Sequence, residues 1–186
     1  MKLKHSFNAE IIDLKDLLKL LQNSKIIHTL ENIESHPNFS SLRRFPMDMS
    51  SISSKLLKKR ELKFIDEIKS IEQACKYTSG GIKHIMKHSK PTMSQIELSG
   101  LFKHYLSTFG IQRLSFNPIT AHGKYNQYLH YEAKDRKVTK GSLVLLDLGC
   151  KYNHYCSDIS RCFPISGKFT KLQKNLYNVV LRGLKY

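Results

Sequence analysis

The sequence has no long apolar run. The longest strongly apolar stretch covers only residues 143–146, whereas about 20 such residues are needed to span a bilayer. Acidic residues at Glu10, Asp13 and Asp16 interrupt the stretch where a secretory leader would have its apolar core, and an arginine-rich transit peptide is equally absent. We therefore expect a cytoplasmic protein that does not associate with membranes.

Cysteine is scarce, and no two cysteines form a Cys-x-x-Cys pair. The four cysteines are Cys75, Cys150, Cys156 and Cys162. Without such a pair a structural zinc knuckle is not expected, and cytoplasmic thiols normally stay reduced. We interpret the four as packing residues.

Several catalytic signatures are also missing. The chain contains no Gly-x-Ser-x-Gly, Walker or Gly-x-Gly-x-x-Gly sequence, which argues against serine hydrolases, nucleotidases and dinucleotide-binding enzymes. His84 and His88 lie four residues apart, as zinc-binding pairs on helices do, but no glutamate follows His84. The pair therefore lacks the zinc-protease pattern, and we interpret it as solvent-facing.

Acidic residues are outnumbered two to one. The 31 Lys and Arg residues against 15 Asp and Glu give a net charge of +16, which raises the question of nucleic-acid binding. The basic residues are scattered, however, without a block of like charges and without interleaved stacking aromatics. This pattern favours a solvated lysine-rich surface over a nucleic-acid site.

The chain divides into two regions by its apolar periodicity. With 186 residues and 40% hydrophobic composition it can bury a core. Apolar residues at three- and four-residue spacing predict a helix over residues 8–22. Two prolines and a serine-rich stretch within residues 35–60 predict a linker and a domain boundary near residues 55–60.

Two helices are predicted after this boundary. The first carries an apolar stripe from Leu62 to Cys75 that continues to Met86 if Gly80 and Gly81 do not kink or break it. The second starts at a cap within residues 92–94 and ends before Gly110.

Strands and loops are predicted from residue 111 onwards. Residues 116–120 are typical of a short strand, residues 121–127 of a polar loop, and residues 143–148 of a buried strand. Residues 151–154 predict a hairpin turn, and residues 155–163 the return strand. Two helices followed by an antiparallel hairpin indicate an α+β fold.

Two aspartates of this hairpin are the candidate site. Asp147 ends an otherwise apolar strand, where an unpaired carboxylate is costly. Because cross-strand partners in a hairpin with an even-numbered loop sum to an odd number, Asp147 and Asp158 lie on the same face as neighbours or diagonal neighbours. Their repulsion calls for a raised pKa, an arginine partner or a divalent metal. The spacing alone leaves open whether the pair binds metal or is a surface or salt-bridged pair.

The same segment resembles the pita-bread metallopeptidases, specifically their aminopeptidase P (Xaa-Pro aminopeptidase) branch. The resemblance rests on residues 145–149, on residues 158–164 followed by 167–170, and on the Leu129-His130-Tyr131 triplet upstream. It runs from near Leu62 to about Leu181. It implies that residues 61–186 form the amino-terminal half of the pita-bread domain. Residues 1–60 would then be a remnant of the family's amino-terminal domain plus the linker.

The resemblance also implies roles for individual residues. Asp147 would bind one metal in bidentate fashion, Asp158 would bridge two metals, and His130 would assist the tetrahedral intermediate from the substrate side. The family site holds two divalent ions, usually manganese, with a bridging hydroxide as nucleophile. Its members release an N-terminal residue that precedes proline. We expect the two carboxylates to face the same side of the sheet and His130 to approach from a neighbouring loop.

Three of the five family ligands, one histidine and two glutamates, have no candidate, because no His, Asp or Glu occurs within residues 159–186. We therefore expect weak or no metal binding and no peptidase activity from this chain alone. Three interpretations of the chain remain open. It is a gene fragment, one half of a split enzyme completed by a second polypeptide, or a non-catalytic pita-bread module that binds protein or nucleic acid. Oligomerisation is open as well.

Overall fold

A computed structural model describes residues 13–28, 35, 37, 39–48 and 51–185. The chain separates into two compact units, Met1–Lys63 and Phe64–Tyr186. None of the helices in the described part of the chain combines the length and the apolar character needed to cross a membrane.

The first unit contains short helices and one pair of short strands. In chain order its elements are α1 (Leu14–Leu21), β1 (Ile27–His28), α2 (Phe39–Leu42), β2 (Met47–Asp48) and α3 (Ser51–Glu61). The strands β1 and β2 pair in parallel. Helix α1 confirms the later part of the helix predicted over residues 8–22, whereas residues 8–12 lie outside the described residues.

Helix α3 lies at the end of residues 35–60, where a linker was predicted, and it covers most of the serine-rich part of that stretch. No proline or glycine interrupts the helix, and its last turn holds three basic residues, Lys58, Lys59 and Arg60, which complement the partial negative charge of a helix C-terminus. Serine composition alone was a poor guide because serine is only mildly unfavourable inside a helix.

The second unit contains the longer helices and the main sheet. Its elements are α4 (Ile65–His88), α5 (Gln95–Ser107), β3 (Ile119–His122), a 3-10 helix (Gly123–Gln127), β4 (Leu143–Leu148), β5 (Lys151–Tyr152), β6 (Tyr155–Cys156), β7 (Ile159–Pro164) and α6 (Lys171–Lys185). Strands β3, β4 and β7 form an antiparallel sheet with β4 in the middle. The α+β prediction is therefore confirmed.

Helix α4 continues through its two glycines without a break, so the longer of the two helices that the sequence left open is the one that forms. The glycines allow α5 to approach closely. A Cβ atom on Gly80 would lie 2.1 Å from the Tyr105 hydroxyl, and one on Gly81 would lie 2.5 Å from the Phe102 ring. The cost of glycine in the helix is thus offset by tight helix packing.

Helix α5 begins as predicted. The Ser94 side chain accepts a hydrogen bond from the Glu97 backbone N–H, and the Glu97 carboxylate accepts one from the Ser94 backbone N–H. This capping box satisfies two N–H groups that the first helical turn leaves free. Gly110 follows the helix with a positive φ of 72°, a conformation that glycine adopts without strain.

The core lies between the two long helices and one face of the sheet. Along β4, the side chains alternate between buried and half-buried positions. Val144, Leu146 and Leu148 are fully buried and belong to the same hydrophobic cluster as Ile85 and Phe102. The opposite face of β4 therefore carries Asp147 without placing it in the core.

Two boundaries in the sheet region were predicted incorrectly. Strand β3 begins at Ile119, later than predicted, and it continues to His122. Residues 123–127 form a 3-10 helix, so the stretch predicted as a polar loop is mostly ordered structure. Pairing with β4 extends the strand, since Ala121 and His122 lie opposite Leu145 and Val144.

The hairpin beyond Asp147 closes with a two-residue turn. Tyr152 pairs with Tyr155, and both residues between them have positive φ angles, 46° at Asn153 and 70° at His154. Positive φ at both positions is the type I′ turn favoured in hairpins. The turn predicted within residues 151–154 is confirmed and consists of Asn153 and His154.

The cysteines occupy different environments. All four are free thiols. Cys150 is buried and confirms the packing interpretation, whereas Cys156 is exposed and contradicts it. The difference follows from position, because Cys156 lies in the short strand β6 next to the exposed turn.

Candidate functional site

Asp147 and Asp158 lie together on one face of the sheet. Asp147 is directly opposite Ser160 in the register of β4 and β7, and Ser160 follows Asp158 by two residues, which is the same-face spacing of a strand. The Ser160 hydroxyl donates a 2.6 Å hydrogen bond to Oδ1 of Asp147. The Asp147 carboxylate also contributes to a raised pKa of Asp158. The predicted shared face is confirmed by this register, while the role of the pair as metal ligands remains a prediction.

The electrostatics of this pair are unfavourable without a counter-charge. Desolvation, followed by repulsion from Asp147 and hydrogen bonding with it, raises the pKa of Asp158 above the usual aspartate value. Asp158 is exposed and Asp147 half-buried, so bulk water screens part of this repulsion. A divalent cation between the carboxylates would remove the repulsion and hold both in the charged form.

The chain supplies few further ligands at this position. Within the part of the chain that the structure describes, no group of three or more His, Cys, Asp and Glu side chains is arranged to hold a metal ion. The pair fits the carboxylate part of a divalent metal site. It does not form a complete site by itself.

His130 lies in an exposed turn, on a different segment from the aspartates. It has a positive φ of 50°, and the preceding Leu129 is 93% exposed. Among the described residues His130 makes no hydrogen bond to either carboxylate. Its predicted approach to the site, and its role there, stay predictions.

The segment after His130 is held by a side chain that the sequence analysis did not single out, Gln95. This residue is fully buried at the first position of α5. Its Oε1 accepts hydrogen bonds from the Tyr131 hydroxyl and from the Lys134 backbone N–H, each 3.0 Å long. Its Nε2 lies 3.1 Å from Nδ1 of His122. Gln95 thus joins α5, β3 and the residue next to His130.

Tyr125 forms a second connection to this segment. Its hydroxyl accepts a 2.7 Å hydrogen bond from Nη1 of Arg136, whose guanidinium also lies 5.0 Å from the centre of the Tyr125 ring. The ring packs 5.4 Å from that of Tyr131. Together with Gln95, these contacts hold the stretch from Tyr131 to Arg136 at both of its ends.

His122 is buried beneath this network. Desolvation is the main cause of its lowered pKa, and the nearby positive charge of Arg136 lowers it further. The imidazole is therefore kept neutral, which lets Nδ1 accept a hydrogen bond from the Gln95 amide. His122 is in this sense a buried structural histidine.

With this geometry established, comparison with known proteins places the chain among metal-dependent peptidases. The profile of metallopeptidase family M24 matches residues 69–186. The chain belongs to this family.

Individual relatives sharpen the placement. The chain is 34% identical to Xaa-Pro aminopeptidase of Escherichia coli over 126 residues, which cover 68% of this chain and 29% of that protein. It is 30% identical to the mitochondrial intermediate cleaving peptidase 55 of Arabidopsis thaliana, over 92% of this chain and 35% of the relative. The chain therefore spans about a third of the length of these relatives.

Solved structures confirm the predicted partial pita-bread fold. A structure described as a putative aminopeptidase P from Bacillus anthracis superposes with a TM-score of 0.84 at 33% identity, covering 95% of this chain and 46% of that one. Zinc-substituted aminopeptidase P of E. coli in complex with product gives a TM-score of 0.83 at 27% identity, covering 92% and 42% of the two chains. The resemblance inferred from the hairpin motif is confirmed at the level of family and fold.

Two site neighbours were missed by sequence reasoning for different reasons. Ser160 was available to it, because Asp147 and Ser160 satisfy the same odd-sum rule that linked Asp147 to Asp158. Gln95 gave no such signal, since its three partners lie 27 to 39 residues away along the chain. Only the packing of α5 against β3 brings them together.

Proposed function

We propose that this chain contributes two metal-binding carboxylates to the dinuclear site of a Xaa-Pro aminopeptidase-type metallopeptidase. Such an enzyme releases the N-terminal residue of peptides that have proline in second position. The observation that carries the proposal is the placement of Asp147 and Asp158 on one face of the sheet, where Asp147 lies opposite Ser160. Membership of family M24 supports it.

Manganese is the ion we expect at these carboxylates. Hard carboxylate oxygens suit Mn²⁺, and the Ser160 hydrogen bond orients one of the two side chains. When bound, such ions activate water and polarise the scissile carbonyl. Because this chain provides two of the five ligands of the family site, its own affinity for the metal is weak and it is inactive alone.

His130 is assigned to the substrate side of the site. Its segment is anchored through Tyr131 and Gln95 rather than through the aspartates, so it is held independently of metal. A complete family site would add a histidine and two glutamates, residue types that residues 159–186 do not contain. In that arrangement this chain supplies Asp147, Asp158 and His130 and acts on proline-containing peptides in the cytoplasm.

Manganese titration of the purified chain tests the proposal. Calorimetry should detect weak Mn²⁺ binding that Asp158→Asn abolishes, while Asp135→Asn, a change at an exposed loop carboxylate of the same unit, leaves it intact. Unchanged binding in Asp158→Asn would rule out the carboxylate pair as the site. No hydrolysis of a peptide with proline in second position is expected from the chain alone. Hydrolysis that is lost on chelation would contradict its proposed inactivity.

A second candidate function is a non-catalytic binding module. The net charge of +16 favours it, since long-range attraction would draw polyanions to the surface. The observation that distinguishes it is the salt dependence of binding. Tight binding of a nucleic acid that falls steeply with salt would support this function, and no retention on heparin at moderate salt would count against it.

A further inference from the structure

The end of helix α4 carries two histidines on one face. His84 and His88 lie four residues apart, a spacing at which helical side chains are neighbours. The centres of their rings are 4.1 Å apart. His88 is exposed and His84 half-buried, and the His84 ring also packs 5.4 Å from the ring of Tyr105 on α5. The structure thus brings two imidazoles together at the surface of the second unit.

A hydrogen bond determines which nitrogen of His88 is available to a ligand. Nδ1 of His88 lies 2.9 Å from the backbone carbonyl oxygen of His84. Because a carbonyl oxygen only accepts hydrogen bonds, Nδ1 carries a proton and donates it. In the neutral ring the lone pair that binds a metal ion is then on Nε2. Histidines that bind metal in proteins usually donate their other ring N–H to a carbonyl or carboxylate in this way.

The separation of the two rings suits a shared ion. Two imidazole nitrogens on one ion lie about 3 Å apart, since each metal–nitrogen bond is about 2.0–2.1 Å long. The ring centres of His84 and His88 are close to this separation, so rotation about the side-chain bonds places a nitrogen of each ring on one ion. Both residues belong to the same helix of 24 residues, which holds their backbones in place.

The charges near the pair restrict the kind of ion that it can bind. Desolvation lowers the pKa of His84, and the positive charges that His88, His104 and Lys87 can carry lower it further. Such charges repel an incoming cation, although the partial negative charge at the C-terminus of α4 offsets part of the repulsion. Charge attraction is therefore weak here, and the binding energy has to come from bonds to imidazole nitrogen.

We infer that His84 and His88 together bind a late first-row transition-metal ion such as Ni²⁺, Cu²⁺ or Zn²⁺. These ions suit imidazole ligands and bind nitrogen more strongly than Mn²⁺ does. Water would fill the other coordination positions, since the described part of the chain has no group of three or more His, Cys, Asp and Glu side chains arranged to hold a metal. The inference does not depend on the function proposed above.

The histidine pair is separate from the aspartate pair. Ile82 and Ile85 of α4 belong to the same buried cluster as Val144 of β4, so the core lies between this helix and the sheet. Asp147 lies on the opposite face of β4 from Val144. An ion on the histidines therefore shares no ligand with the aspartates. The two sites also differ in chemistry, with imidazole nitrogen at one and carboxylate oxygen at the other.

Calorimetric titration of the whole chain with Ni²⁺ tests the inference. The chain is purified without a histidine tag and titrated at about pH 7.5, above the ordinary histidine pKa of about 6.5. His84→Gln and His88→Gln should each weaken Ni²⁺ binding by at least about tenfold, since losing even an outer partner of a metal ligand costs about 10–100-fold. His154→Asn is the control, because His154 is exposed and asparagine tolerates its positive φ.

A shifted pair distinguishes chelation from binding by a single histidine. Met86→His combined with His88→Met keeps the number of histidines but places the second ring two residues from His84, where helical side chains do not face each other. Met86 and His88 are both exposed, so circular dichroism should show an intact fold. The shifted pair should bind Ni²⁺ as weakly as His88→Gln does.

Four results would overturn the inference. They are unchanged Ni²⁺ binding in His84→Gln and His88→Gln, equal weakening by His154→Asn, full binding by the shifted pair, and loss of Ni²⁺ binding in Asp158→Asn. The third would show that a single histidine suffices, and the fourth would place the ion at the carboxylates. Since the Mn²⁺ titration concerns a different ion and different ligands, failure of the Ni²⁺ test leaves its result unaffected.

Discussion

The hydroxyl of Ser160 donates a 2.6 Å hydrogen bond to Oδ1 of Asp147, its direct partner across β4 and β7. The bond holds in place the half-buried carboxylate of Asp147, which we propose as a metal ligand. It also restricts the rotation of that carboxylate. Because the side chain is already oriented, less conformational entropy is lost when the metal binds.

The first prediction follows from this contact. Ser160→Ala should weaken Mn²⁺ binding severalfold, corresponding to about 1 kcal/mol for one lost hydrogen bond, without abolishing it as Asp158→Asn should. Calorimetric titration measures the difference. Ser166→Ala removes an exposed hydroxyl that donates to the Lys168 carbonyl and should have no effect. An affinity of Ser160→Ala equal to that of the unmodified chain would show that the bond does not orient the carboxylate for metal.

The second prediction concerns the close approach of α4 and α5. Gly81→Ala should destabilise the protein by about 1–3 kcal/mol, because its Cβ would lie 2.5 Å from the Phe102 ring in a packed core. Gly100→Ala is the control, since a Cβ there meets nothing within 4 Å. In that helix interior it should stabilise by up to about 1 kcal/mol. Urea denaturation measures both, and equal stabilisation by the two substitutions would refute the tight contact.

The third prediction concerns Gln95. Gln95→Met preserves the approximate volume but removes the acceptor for the Lys134 N–H and the Tyr131 hydroxyl. A destabilisation of about 1–3 kcal/mol is expected from the buried groups left without partners. Limited trypsin digestion should also cut faster at Lys134 and Arg136. Gln127→Met, at an exposed position, should change neither measurement, and an unaltered cleavage rate in Gln95→Met would contradict the anchoring role.

The fourth prediction is a pH dependence of stability that arises from His122. Because burial lowers the pKa of His122 in the folded state, the unfolded chain binds the proton more readily. The stability linked to this group is fully present above the unfolded pKa of about 6.5. It falls as the pH drops below that value and levels off below the folded pKa.

Urea denaturation between about pH 5 and 8 checks this prediction, since that range brackets the ordinary histidine pKa. His122→Gln should flatten the pH dependence relative to the unmodified chain, although His84, whose pKa is also lowered, contributes a slope of the same sign. His130→Asn removes an exposed histidine in a turn and serves as the control. A pH dependence in His122→Gln identical to that of the unmodified chain would show that His122 titrates normally.

The sequence by itself determined helix α5, the strands of the β4–β7 hairpin and the shared face of the two aspartates. Helix α5 was predictable because the Ser94 and Glu97 capping box is a local signal. The shared face of Asp147 and Asp158 followed from strand parity, since a strand has a strict two-residue period. The family followed from short motifs in the same hairpin, and the match to family M24 confirms it.

The tertiary structure decided the features that depend on distant partners. The sequence left open whether α4 continues past its two glycines, and the rings of Phe102 and Tyr105 fill the space beside them in the continuous helix that forms. The buried hydrogen bonds of Gln95 depend on the packing of α5 against β3, because its partners lie far away along the chain. Periodicity and propensity report the conformation that a segment prefers by itself. The outcomes described here depend instead on which other segment packs against it in the folded protein.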